Sequence, residues 1–191
     1  MAKENRKFIY GVVKEGARAK EYDLAIQWML DSGLLAQCYC VKKPALPLIA
    51  YQELSVFKLY HNDIGLLGAM SKLSSKTVID GSAVFTEYKG ALTEQFVFQQ
   101  LRLNEDLALN YFAPDTYSME IDFIVQNENG DIIPIEVKAG ENLRAKSFKL
   151  FCEKFKPQTA IRTSLSDFRQ EEWMTNVPLY VIGNYFNESQ R

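Results

Sequence analysis

Histidine is almost absent. His61 is the only one in 191 residues, which rules out a His-rich metal site and makes any Ser-His-Asp triad depend on one ring. At the end of a predicted strand, His61 reads as structural or exposed. No GxSxG elbow is present. There is no GxxxxGK[ST] loop either: GLLGAMSK (65–72) lacks the spacing and the lysine placement, so these residues do not carry ATP hydrolysis. Long apolar runs are missing as well. None approaches the roughly 18 residues needed to span a bilayer, and no secretory signal opens the sequence. A membrane protein is therefore not expected. Cysteine is sparse: Cys38, Cys40 and Cys152 are an odd number without paired zinc spacing. Reduced, partly buried thiols in a cytoplasmic protein are the expectation. Excess charge is lacking too, at a net −2. That gives no global pull toward nucleic acid or anionic membrane, although a local basic cleft remains open.

What is present is ordinary for a globular protein, with 47% apolar and 24% charged residues. The first twenty residues are basic and mixed, without a clear period. A helix is predicted from Tyr22 or Asp23, with Asp23 as N-cap, Leu24, Trp28 and Met29 along it, and Gly33 as its stop. LAQCYCVKKP (35–44) alternates as a strand should, Pro44 and Pro47 interrupt the next stretch, and LSVFKLYH (54–61) reads as a second strand. A helix followed by two strands predicts a small winged-helix-like domain over 1–75, a unit that binds DNA in some proteins and packs domains together in others. DIGLLGAM (63–70) predicts a short helix. The polar, Ser-rich segment SKLSSKTVIDGS, closed by Gly81, is the predicted boundary.

From Val84 to about Leu103 a helix is predicted whose apolar residues cover much of its circumference, so it should pack on more than one side. A strand near Leu107–Phe112 comes next, then a hairpin over Glu120–Lys138, a helix over Arg144–Phe155, a strand at Thr159–Thr163 and a final strand at Leu179–Ile182. The order helix, strand, strand, strand, helix, strand predicts an α/β domain over 80–191, with one mixed sheet and flanking helices.

The hairpin EIDFIVQNENGDIIPIEVK (120–138) organises this half. Its two strands are rich in β-branched and apolar residues, and Asn127, Asn129, Gly130 and Asp131 supply the turn. Asp122 lies among apolar neighbours, and Glu136 and Lys138, two apart, share a face. Charges set into a buried hairpin are costly unless paired. One arrangement that justifies them is Mg²⁺ or Mn²⁺ held by Asp122 and Glu136, since carboxylate oxygens are hard ligands. Lys138 would then orient water or offset charge on a phosphoryl transition state, and Glu94 on the preceding helix would complete the metal shell or act through a water. The alternative is an edge-strand ion pair between Glu136 and Lys138, with Glu94 a solvated helix residue. Arg144, Lys146 and Lys149, on or near the next helix, are candidates to face a phosphate backbone, or else form its solvated face.

The segments GALTE, EIDFI and PIEVKAG, together with GARAKEYDLAIQWMLDSGLL and DIGLLGAM, resemble the C-terminal domain of unknown function that follows an AAA-type ATPase domain in many bacterial proteins. The second half of that family resembles the PD-(D/E)xK restriction-endonuclease-like fold, with its αβββαβ core. The resemblance implies Glu94 as the helix acid, Asp122 as the metal-binding Asp, and Glu136 with Lys138 as the E-x-K pair; Ile121 stands where the motif has Pro. It also implies that the chain is the C-terminal portion of a longer protein whose upstream ATPase domain is a partner. Two functions are expected on this basis. One is a metal-dependent nuclease domain acting on nucleic acid under control of the ATPase. The other is a nuclease-fold domain that no longer cleaves and regulates the ATPase by binding partners or nucleic acid. A third, from the N-terminal strands, is a winged-helix adaptor.

Overall fold

The computed structural model describes residues 7–9, 19–72, 83–115, 119–140 and 146–188. In chain order its elements are α1 (Ala19–Asp31), β1 (Leu35–Val41), a 3-10 turn (Leu48–Tyr51), β2 (Gln52–His61), α2 (Ile64–Met70) and α3 (Ala83–Arg102). Next come β3 (Ala108–Phe112), β4 (Ile121–Gln126), β5 (Ile132–Val137), α4 (Lys146–Phe155), β6 (Ile161–Ser164), β7 (Arg169–Gln170) and β8 (Thr175–Pro178). A second 3-10 turn (Leu179–Val181) leads into α5 (Ile182–Glu188). The strands form one mixed eight-stranded sheet in the order β2-β1-β3-β4-β5-β6-β8-β7. β1 pairs antiparallel with β2 and parallel with β3, and β4 pairs antiparallel with both β3 and β5. β5, β6 and β8 run parallel, and β7 closes the far edge antiparallel to β8.

Local chemistry explains the ends of these elements. Gly33, at φ +72°, takes the left-handed position after α1. Its N–H reaches the Leu30 carbonyl at 3.0 Å and the Leu34 N–H reaches that of Met29 at 2.9 Å, which is the Schellman pattern. Asp63 caps α2 by accepting the Leu66 N–H at 2.8 Å. The β4–β5 turn is tied by the Asn127 side chain, which accepts the Asp131 N–H at 2.8 Å, and by Gly130 at φ +80°. Pro134 is tolerated in an interior strand because pairing with β6 begins one residue later, at Ile135, so no ladder donor is missing there.

Each face of the sheet carries a core. On one, Val97, Phe98 and Leu101 of α3 and Ile182 and Phe186 of α5 pack on Tyr60, Phe123, Val125, Ile133 and Ile135. The Phe98 ring stacks on Tyr60 with centroids 4.1 Å apart. On the other, Phe148, Phe151 and Cys152 of α4, spaced as one helical stripe, cover Phe112, Ile121 and Ile124. α3 touches α2, β2, β5 and α5, as its all-round apolar surface predicted.

The predicted units 1–75 and 80–191 share one sheet, which β1 and β2 extend, with Cys40 opposite Tyr111 and Val41 opposite Phe112. Three expectations need correction. α1 already runs from Ala19, so Asp23 is an interior residue and not its cap. The final strand lies at Thr175–Pro178; Leu179–Ile182 is a tight turn entering α5. β5 is interior to the sheet, so Glu136 and Lys138 are not an edge-strand pair. The predicted boundary segment 71–82 lies, from residue 73 on, outside the described residues. All three cysteines are buried free thiols, and none of the described helices is long and apolar enough to cross a membrane.

Candidate active site

The most enclosed charged side chain among the described residues is one that no sequence motif marks. On β2, Val56, Lys58 and Tyr60 alternate with Phe57 and Leu59. Tyr60 belongs to the core beneath α3, so the period of two sends Lys58 inward with it. Lys58 is 2% exposed. A bare ammonium could not remain there. It is held by Glu94 Oε1 at 3.2 Å and Glu120 Oε1 at 2.7 Å, and it lies 4.9 Å above the Tyr111 ring. Burial pulls the Lys58 pKa down, but the Glu94 and Glu120 carboxylates outweigh it and hold the ammonium above its usual range.

Glu94 projects from the middle of α3, where its Oε1 also accepts the Tyr60 hydroxyl at 2.5 Å. Its side chain is 13% exposed, so it is not a solvated helix residue. Burial pushes it up to about 7; Lys58 pulls it down, and the Asp122 charge adds to the rise.

Asp122 owes its position to an irregularity in β4. Asn110 pairs with Ile124 and Phe112 with Ile121, so two positions of β3 are matched by three of β4. This extra residue is a β-bulge, a device that re-aims a side chain. Ile121 packs toward α4 and Phe123 toward α3. Asp122, between them, lines a cavity of about 590 Å³ together with Glu94, Lys58, Tyr111 and Glu120. Its Oδ2 accepts the Val137 N–H at 2.8 Å, which locks it to the end of β5. Burial raises its pKa against the pull of Lys58.

Glu136 and Lys138 pair directly, Nζ to Oε1 at 2.6 Å. Ile133 and Ile135 face α3, so alternation turns Glu136 to the α4 side, where its charge acts on Cys152. Neither Glu136 nor Lys138 lines the cavity that holds Asp122 and Glu94. Asp122 still acts on Glu136: burial first and the Asp122 charge second push Glu136 up to about 7, against Lys138. A carboxylate raised by its neighbour on the adjacent strand marks a site with surplus negative charge.

The predicted set is therefore brought together in part. Asp122 joins two pairs, Glu94 with Lys58 on one side and Glu136 with Lys138 on the other. Glu94 is tied to Lys58 and Tyr60, which counts against its expected place in a metal shell. Among the described residues no group of three or more His, Cys, Asp or Glu is arranged to hold a metal ion. Asp122 and Glu136 are two hard donors whose mutual repulsion a cation would relieve. That suits Mg²⁺, which is commonly held by one or two carboxylates with water and phosphate oxygens filling the other positions. Of the basic residues expected to face phosphate, Arg144 lies outside the described residues and Lys146 is exposed on α4. Lys149 lines a separate cavity of about 640 Å³ with Cys152 and Trp173. His61 contributes its backbone: its N–H and carbonyl are clamped by the Gln95 amide at 3.0 and 2.6 Å, docking α3 on β2.

The class defined by these elements is a mixed α/β protein with charged pairs set into the middle of its sheet. Residues 89–182 match a domain of unknown function, DUF4143, and residues 1–77 match a second domain of unknown function, DUF8612. No curated protein and no solved structure matches the chain. Lys58 and Tyr60 fall in the first-half match, and Glu94, Asp122, Glu136 and Lys138 in the second.

Proposed function

We propose that the chain carries a restriction-endonuclease-like domain that cleaves nucleic-acid phosphodiesters with a divalent cation, as the C-terminal portion of a longer protein with an upstream ATPase domain. The observation that carries this reading is the electrostatic coupling of Asp122 with Glu136, beside the Glu136–Lys138 contact at 2.6 Å. The element order from α3 to β6 supports the fold assignment, and the resemblance of the hairpin to the PD-(D/E)xK motif supports the roles.

Asp122 and Glu136 are the residues that would hold Mg²⁺ or Mn²⁺; when bound, such an ion lowers the pKa of an attached water and polarises a phosphoryl oxygen. The protein's own contributions are positional. The Val137 N–H fixes the Asp122 carboxylate without using a side chain. Glu136 holds the Lys138 ammonium at the site, where a positive charge stabilises the negative charge that develops on phosphorus oxygens. Glu94, held by Lys58 and Tyr60, feels the Asp122 charge from the other side.

A second reading, a nuclease-fold domain that does not cleave and regulates the ATPase, is favoured by one observation: Lys58 already neutralises part of the acidic group without any metal. Calorimetric titration of Mn²⁺ decides between the two. Micromolar to sub-millimolar binding that is lost in both Asp122→Ala and Glu136→Ala, with cleavage of DNA or RNA lost in the same variants, supports the nuclease. Absence of binding, or binding indifferent to both substitutions, removes that reading and leaves the regulator.

A further inference from the structure

We propose that the N-terminal strands build the phosphate-binding wall of this site, with Lys7 and Lys42 seating the backbone of a nucleic-acid strand in the cavity beside Asp122. This rests on the nuclease-like reading of Asp122 and names which surface of the chain takes the substrate. The cavity is two-sided. Lys7, Lys42 and Lys58 come from the N-terminal segment and the β1–β2 pair, while Glu94, Glu120 and Asp122 come from the second half. A phosphodiester seated here would place its anionic oxygens on the ammonium groups, with the reacting phosphorus near Asp122, one of the two carboxylates that would hold the cation.

Each lysine is placed by identifiable structure. Lys7 is anchored through its neighbour: the Phe8 N–H donates to the Phe57 carbonyl at 2.7 Å, and the two rings stack with centroids 5.8 Å apart. Lys7 and Ile9, on either side of Phe8, both line the cavity. Lys42, just past the end of β1, is paired at 2.5 Å with Asp115, whose side chain is 84% exposed. An ion pair that open to water is worth little and is readily exchanged for a phosphate. Lys58 is fixed behind them as a buried cation. The helix lysines have no such setting: Lys149 lines a different cavity, and Lys146 lines neither of the two. With a net charge of −2, affinity for a polyanion has to come from a local group such as this one.

The test uses the whole chain and fluorescence anisotropy with labelled single-stranded and duplex DNA oligonucleotides, in EDTA and over a range of salt. Lys7→Ala and Lys42→Ala should each weaken binding to the preferred oligonucleotide and lower the slope of log K against log salt by about 1. Lys146→Ala and Lys149→Ala should leave both unchanged. Lys42→Glu, at a half-buried position beside the exposed Asp115, should abolish binding while circular dichroism stays that of the parent. Losses confined to the Lys146 and Lys149 variants, or no binding of the parent chain to either oligonucleotide, would overturn the proposal. The assay contains no divalent ion. A chain that binds through Lys7 and Lys42 yet takes up no Mn²⁺ would sustain this wall and remove the cleavage reading alone.

Discussion

Lys58 is the residue on which the site's electrostatics turn, because it is the cation enclosed between Glu94 and Glu120. Removing one member of a buried charge group is far worse than never having it, since the partners remain desolvated and unpaired. Lys58→Met should therefore destabilise the fold by about 3–5 kcal/mol in urea denaturation. Adding Glu94→Gln should restore most of that loss; a double variant no more stable than Lys58→Met would show that Lys58 acts through packing. Glu94 also sets a pH dependence. Its folded pKa, about 7, lies above the ordinary 4.5, so between those values the folded state keeps a proton that the unfolded state has released. The contribution is full below the unfolded value and is lost as pH rises through 7. The melting temperature should fall by a few degrees between about pH 5 and pH 7.5, and the fall should be smaller in Glu94→Gln. Equal falls in both proteins would remove Glu94 as a source. The Asp122, Glu136 and Lys138 positions are legible in the sequence because charge in an apolar hairpin stands out against its neighbours. Lys58 is equally visible in principle, in the Val56–Lys58–Tyr60 alternation. It escapes notice because nothing in the sequence says that this face of β2 lies under a helix.

Elements with strong local signals can be read from sequence, and those governed by tertiary contacts cannot. The β4–β5 turn carries its own chemistry in Asn127 and Gly130, and Gly33 ends α1 at the expected residue. The same local logic gives a measurable consequence. At φ +72° a Cβ on residue 33 meets the Asn62 Nδ2 at an ordinary 3.5 Å, so the penalty of Gly33→Ala is conformational and not steric crowding from neighbours. It should amount to about 1–2 kcal/mol, seen as a melting temperature lower by roughly 2–4 °C per kcal/mol. No loss would mean that the Schellman end of α1 relaxes to another conformation. By contrast, PLYVIG has the composition of a strand yet forms a turn and a helix start, because Ile182 and Phe186, four apart, find an apolar surface on α3. β7, two residues long, has no periodicity to read. The bulge in β4 is also beyond sequence reading, since it is defined only by what β3 pairs with, and it is the bulge that brings Asp122 to the cavity.

At the scale of the molecule, the sequence has a seam where the sheet has none. The two family matches meet between residues 77 and 89, yet β1 lies against β3, and Tyr60 stacks on Phe98 across that seam. Composition shifts and Ser-rich segments mark where chains change family; they do not report whether strands on either side pair. The arrangement makes the second half dependent on the first. Without residues 1–77, β3 becomes a bare sheet edge, a template for association with other chains. The Phe98 ring loses its stacking partner, and Glu94 loses both Lys58 and Tyr60. The whole chain should therefore unfold in one transition, with far-UV circular dichroism and tryptophan emission sharing a midpoint. Residues 80–191 expressed alone should fail to give a cooperative transition and should associate. If that piece instead melts cooperatively at the midpoint of the full chain, the first half is an attachment to a self-sufficient domain, and Lys58 is dispensable to the charge balance around Asp122.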